Sequence, residues 1–200
     1  MTGGASLMDQ VVECVPLHGH DGRSGARLER AVLADGTRLV VKRTSAAADL
    51  AMRLTGLDES REYRLWRAGV LDGLPGGVGH AIVGGWLEGD ETVLLMRDLG
   101  DAVVGWGRRL SRAECRQLLS AAASLHRARA GHRTERLVAL EDRVSLFAPA
   151  KMARDEPPGH PLPATVRRGW ERFADAVDAE VGDAVFAVLD RPERLAGPLS

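Results

Sequence analysis

Asparagine is missing from this chain of 200 residues. No metal shell in it can therefore be completed by an asparagine amide oxygen. Cysteine is nearly missing as well: Cys14 and Cys115 lie far apart, in different expected elements. Such a pair implies neither a zinc site nor a disulfide framework, and a reducing cytoplasm is the simplest setting. Aromatic residues make up 4% of the chain and the net charge is −1. With no basic footprint and little to stack on a base, the composition argues against nucleic-acid binding. The first ten residues, MTGGASLMDQ, lack the regions of a signal peptide, and no apolar run approaches the length of a membrane span.

Lysine is scarce too. Of 27 basic residues, only Lys42 and Lys151 are lysine. Lys42 closes the run LVVK, where arginine is this chain's usual base, so a compact ammonium is favoured there. The surrounding residues 24–43, SGARLERAVLADGTRLVVKR, read as a glycine turn, a strand, a tight turn and a second strand. Asp35-Gly36 favours a two-residue hairpin turn. Such a hairpin returns Lys42 to the side of the turn that holds Gly22, Ser24 and Gly25. Small residues with available backbone N–H groups beside a lysine suit a phosphate. An ordinary surface hairpin has the same pattern.

Residues 10–17 read as a further strand, before the hairpin. After the hairpin, residues 46–54 are helical in pattern, with a break at Gly56. Asp58, Glu59 and Glu62 then load the first turns of a second helical piece with acid, and Leu65, Trp66 and Val70 give it an apolar side. Residues 80–87 and 91–96 are two more strands around Gly89-Asp90. The pattern then becomes helical. Ser111 and Glu114 have the spacing of a capping box. Cys115, Leu118, Leu119, Ala122 and Leu125 follow at helical spacing to about Ala128. Residues 149–163 read as loop with at most short helical turns, and 165–189 as one amphipathic helix ended by Pro192. The expected fold is α+β: a five-stranded antiparallel lobe with one main helix over residues 1–97, and a partial helical lobe over 98–200. His18, His20 and Asp21 have the look of a metal cluster. The acid expected two residues past His20 is Gly22, however, and a solvated loop is the better reading.

Taken in order, VVK ending at Lys42, a helix with Glu62 inside it, LLMRDLG at 94–100 and a helix ending SLHRARA at 124–130 resemble the aminoglycoside phosphotransferase and choline-kinase-like family. These are small-molecule relatives of the protein kinases, and the resemblance covers about residues 10–130. It implies a protein-kinase-like fold and an ATP-dependent transfer to a small hydroxyl or amine acceptor. Lys42 would contact the α and β phosphates, and Glu62 would hold Lys42. Gly22, Ser24 and Gly25 stand where the phosphate-covering loop should be, departing from G-x-G-x-x-G. Met96, Arg97, Asp98 and Leu99 match the hinge whose backbone meets the adenine edge. ATP and Mg²⁺ are the implied cofactors. The family's His-Gly-Asp loop, with an asparagine five residues past the aspartate, is not in this sequence. The resemblance therefore implies a chain that stops before its catalytic loop and is inactive alone, with no catalytic residue or metal ligand to assign. The alternatives are a non-catalytic nucleotide- or protein-binding module, and an unrelated α+β domain in which Lys42 and Glu62 are incidental.

Overall fold

The computed structural model describes residues 7–18, 25–105, 107–130, 138–154 and 161–196. The chain divides into two compact units, residues 1–137 and 138–200.

The first unit is built on a five-stranded antiparallel sheet. Its strands are β1 (Val11–Pro16), β2 (Arg27–Leu33), β3 (Arg38–Thr44), β4 (Ile82–Glu88) and β5 (Glu91–Arg97), in the spatial order β1-β2-β3-β5-β4. β3 is thus central, and β5 is an inner strand beside it whose VLL segment is fully buried. Alternation along the strands separates two faces. On one face Ala31, Leu33, Leu39, Val41, Val93 and Leu95 form the dry core, with Leu7, Met8, Val11 and Trp86 packed against it. Lys42, between Val41 and Arg43, points to the other face.

The β2–β3 connection differs from the expected two-residue turn. Leu33 N–H donates to Thr37 C=O at 2.9 Å and Gly36 N–H to Leu33 C=O at 2.9 Å, which leaves a three-residue loop with Gly36 at φ +85°. Thr37 N–H also donates to Asp35 Oδ1 at 2.8 Å, so the aspartate side chain holds the turn from within. A third loop residue shifts the register by one, and Leu28 stands opposite Lys42.

Two short helices lie between β3 and β4, one on each side of the expected break at Gly56. α1 is Leu50–Leu54, shorter than the expected 46–54, because Asp49 accepts from Met52 N–H and sets the N-terminus there. α2 is Arg61–Arg67 with Ser60 as its N-cap. Asp58 and Glu59 fall before this helix and pair with Arg64 and Arg67 rather than loading its first turn. Its buried residue is Tyr63; Leu65, Trp66 and Val70, the expected apolar side, are only half-buried. After β5 comes a 3₁₀ turn, Gly100–Ala102, then α3 (Arg112–Arg129), which opens with the expected capping box between Ser111 and Glu114. No residue of α3 is buried, and Leu118 and Leu119 of its apolar stripe are exposed.

The second unit is helical: α4 (Leu140–Val144), α5 (Pro149–Arg154), α6 (Pro161–Ala176), α7 (Ala179–Asp190) and α8 (Glu193–Ala196). The expected helix over 165–189 is two helices. Asp178, extended at φ −60° and ψ 146°, takes the N-cap position of α7 after α6 has ended, with no capping bond from its side chain, and that position suits aspartate better than a helix interior. Trp170, Phe173 and Phe186 join α6 to α7, with ring centroids 5.6–6.1 Å apart. Trp170 Nε1–H donates to Phe147 C=O at 2.7 Å. Among the described residues no strand follows Arg97, and no helix is long and apolar enough to cross a membrane.

Candidate functional site

Lys42 lies on β3 in a cross-strand row with Leu28, Leu94 and Gly85. Its Nζ is 3.3 Å from Glu62 Oε1 on α2. The lysine side chain is 19% exposed and the glutamate 43%, so the pair sits at the rim of the sheet face. Burial pushes the Glu62 carboxyl up, but the Lys42 charge, a hydrogen bond from its own backbone N–H and the bond from Lys42 outweigh it, and it titrates below the usual glutamate range.

The position of Glu62 is set two residues earlier. Ser60 Oγ accepts from Tyr63 N–H at 3.2 Å, starting α2. Ser60 N–H donates to Thr92 Oγ1 of β5 at 2.9 Å, and both residues are buried. Tyr63 then lies on β4 where Gly85 leaves room. A Cβ at Gly85 would stand 2.9 Å from Tyr63 Cδ2 and 3.1 Å from Leu94 Cδ2. On its other side the Tyr63 ring carries the Arg67 guanidinium, 5.0 Å from its centroid. The helix is thus fixed to the sheet at its start and its middle, and Glu62 lies between those points.

The remaining expected residues divide. Gly22 and Ser24 lie outside the described residues, as do His20 and Asp21. Gly25 has φ +70°, and a Cβ there would collide with the Ala48 carbonyl. Its turn therefore sits against the segment after β3, three residues beyond Leu28, or roughly 10 Å along the strand from Lys42. Met96 is one row from Lys42 on the same face, paired with Val40. The Arg97 and Asp98 backbone N–H groups do not point to open space. Arg97 N–H donates to Ala81 C=O at 2.8 Å and Asp98 N–H to Arg38 C=O at 3.3 Å. An adenine edge could not use those two donors. The Arg97 side chain donates to His80 C=O at 2.6 Å. The Asp98 carboxylate accepts from Gly100 N–H and from Arg30 Nε, each at 2.9 Å. The Gly100 bond, opposed by burial and aided by Arg30, holds this carboxyl below the usual aspartate range. Leu99 is half-exposed.

Four positions shape the site without having been read from the sequence: Ser60, Thr92, Val40 and Arg30. The Ser-x-x spacing before Tyr63 was the available signal for Ser60. Val40 shares the Lys42 face by strand alternation, whereas Arg30 joins that face only in the observed register.

No protein-family model, curated protein or solved structure matches the chain.

What the site can do chemically follows from its own groups. A strand-mounted ammonium offers three N–H donors, one of which meets Glu62. Beside it, Leu28, Val40 and Met96 form a half-buried apolar floor. Polyanion at one end and flat apolar ligand at the other is the pairing this face suits. The fit for a divalent cation is poor: among the described residues no three His, Cys, Asp or Glu side chains come together.

Proposed function

We propose that the first unit is the ATP-binding lobe of an aminoglycoside phosphotransferase-like kinase, whose catalytic aspartate and asparagine are not among these 200 residues. The ion pair between Lys42 and Glu62 carries this reading. In kinases a lysine on the third strand, held by a helix glutamate, orients the α and β phosphates. Here the lysine is on β3, the glutamate is on a helix between β3 and β4, and their charged atoms are 3.3 Å apart. The order β1-β2-β3-β5-β4 with a connector after β5 supports the same reading.

Phosphoryl transfer asks a protein mainly for positioning and charge neutralisation. Lys42 supplies part of the charge, and Glu62 keeps its ammonium from swinging into solvent. ATP is the expected ligand. Mg²⁺ would neutralise the phosphates in a complete site, but no residues to hold it are assigned here. Without them the chain binds ATP weakly and transfers nothing by itself to a hydroxyl or amine acceptor.

The test is equilibrium dialysis of ATP against the wild-type chain and Lys42→Ala, with ADP release followed beside aminoglycosides and choline-like amines. Saturable ATP binding that is lost in Lys42→Ala is expected, with no turnover. Equal binding by both proteins, or none by either, would reject the nucleotide reading.

A further inference from the structure

The row next to Lys42 on its sheet face contains an arginine. Arg30 of β2 pairs with Val40 of β3, and Val40 pairs with Met96 of β5. Arg30 therefore emerges on the same face as Val40, one row from Leu28 and Lys42. Its Nε bonds Asp98 Oδ2 at 2.9 Å. Asp98 follows β5, and its N–H is bonded to Arg38 of β3. To reach it, the Arg30 side chain must cross β3 on the Lys42 face, between Val40 and Arg38. The Asp98 side chain is only 8% exposed, whereas that of Arg30 is 40% exposed. The carboxylate is the fixed end of the pair, and the guanidinium is presented to solvent.

This arrangement lies along the path of any ligand that joins the lysine to the segment after β5. Val40 is two residues from Lys42, or roughly 7 Å along the strand. A triphosphate held at Lys42 would place the rest of its molecule over Val40 and Met96, against Arg30. A guanidinium is planar and weakly hydrated, and it stacks on aromatic rings better than an ammonium does. Held at one edge by Asp98, it loses little freedom when a ring lies on it.

We propose that Arg30, positioned by Asp98, is a specificity-determining residue of this sheet face, on which the planar base of the nucleotide stacks. The inference rests on the nucleotide reading of Lys42 and Glu62, and it adds what selects the base end. In this arrangement Asp98 contributes through Arg30 and not through a contact of its own with the base.

The experiment compares ATP with inorganic tripolyphosphate, which has the charge and no base, by equilibrium dialysis. Arg30→Lys keeps the charge and removes the plane. It should weaken ATP binding by roughly three- to tenfold while leaving tripolyphosphate binding unchanged. Asp98→Asn, which loosens the guanidinium, should shift ATP in the same direction by less. Far-ultraviolet circular dichroism and a thermal melt verify that both variants are folded, and either folded variant suffices for the comparison. If the wild type binds ATP through Lys42 but both variants bind it equally well or more tightly, Arg30 is a bystander or a cover. The stacking role then fails while the nucleotide reading stands. An equal loss for ATP and tripolyphosphate makes Arg30 a mere charge and also overturns the role. If the wild type binds neither ligand, the nucleotide reading fails and takes this one with it.

Discussion

Ser60 donates its backbone N–H to the hydroxyl of Thr92, 32 residues later, across a buried gap of 2.9 Å. The bond ties the N-cap of a helix to an inner strand of the sheet. Thr92→Val keeps the shape and removes the acceptor, leaving a buried N–H without a partner. The expected cost is about 1–3 kcal/mol in urea unfolding, and Thr92→Ser should restore most of it. A Val variant as stable as wild type would show that water replaces the hydroxyl.

The Lys42–Glu62 pair should matter little to stability. Glu62 is 43% exposed, and pairs of that kind contribute about 0–1 kcal/mol. A double-mutant cycle with Lys42→Met and Glu62→Gln should give a coupling below about 1 kcal/mol, while ATP binding is lost in the Lys42 variant. A coupling of several kcal/mol would recast the pair as a structural element.

Acid should act through Glu62 and Asp98. Both carboxyls titrate below their ordinary values of 4.5 and 3.8 in the folded protein. The unfolded chain thus takes up their protons first as pH falls. Their contribution to stability is complete above those ordinary values and is lost as pH drops through the lower folded ones. Urea midpoints measured from pH 7 to pH 3 should show an acid limb that Glu62→Gln and Asp98→Asn each flatten. An unchanged slope in both variants would mean that other carboxylates control it.

Gly85→Ala tests the seat of Tyr63. The new Cβ would stand 2.9 Å from the ring, which must move because the strand cannot. A loss of about 1–3 kcal/mol is expected. Gly76→Ala, with nothing within 4 Å of its Cβ, is the matched control.

The sheet and its sequence order were legible because each strand shows its own alternation and is bounded by turn residues. The capping box at Ser111 and Glu114 was legible because both partners lie within one turn. The face seen by each side chain of β2 was harder. A two-residue loop at Asp35-Gly36 pairs Lys42 with Glu29 and sets Arg30 against Val41. The observed loop holds one residue more, so Leu28 meets Lys42 and Arg30 meets Val40. That single residue decides whether an arginine joins the site, and local sequence does not fix it. The use of the Arg97 and Asp98 N–H groups by Ala81 and Arg38 was hidden for a similar reason. Those partners are distant in sequence and become neighbours only when the sheet assembles.

The scarcity of lysine has a chemical consequence. The chain offers two side-chain amines, and neither is open: the side chains of Lys42 and Lys151 are 19% and 14% exposed, facing Glu62 and Asp142. Reagents and enzymes directed at lysine find no fully open lysine side chain. The remaining 25 basic side chains are arginine, which stays charged at any workable pH. Labelling at Lys42, resolved from Lys151 by peptide mapping, would therefore report on the opening of the pair with Glu62.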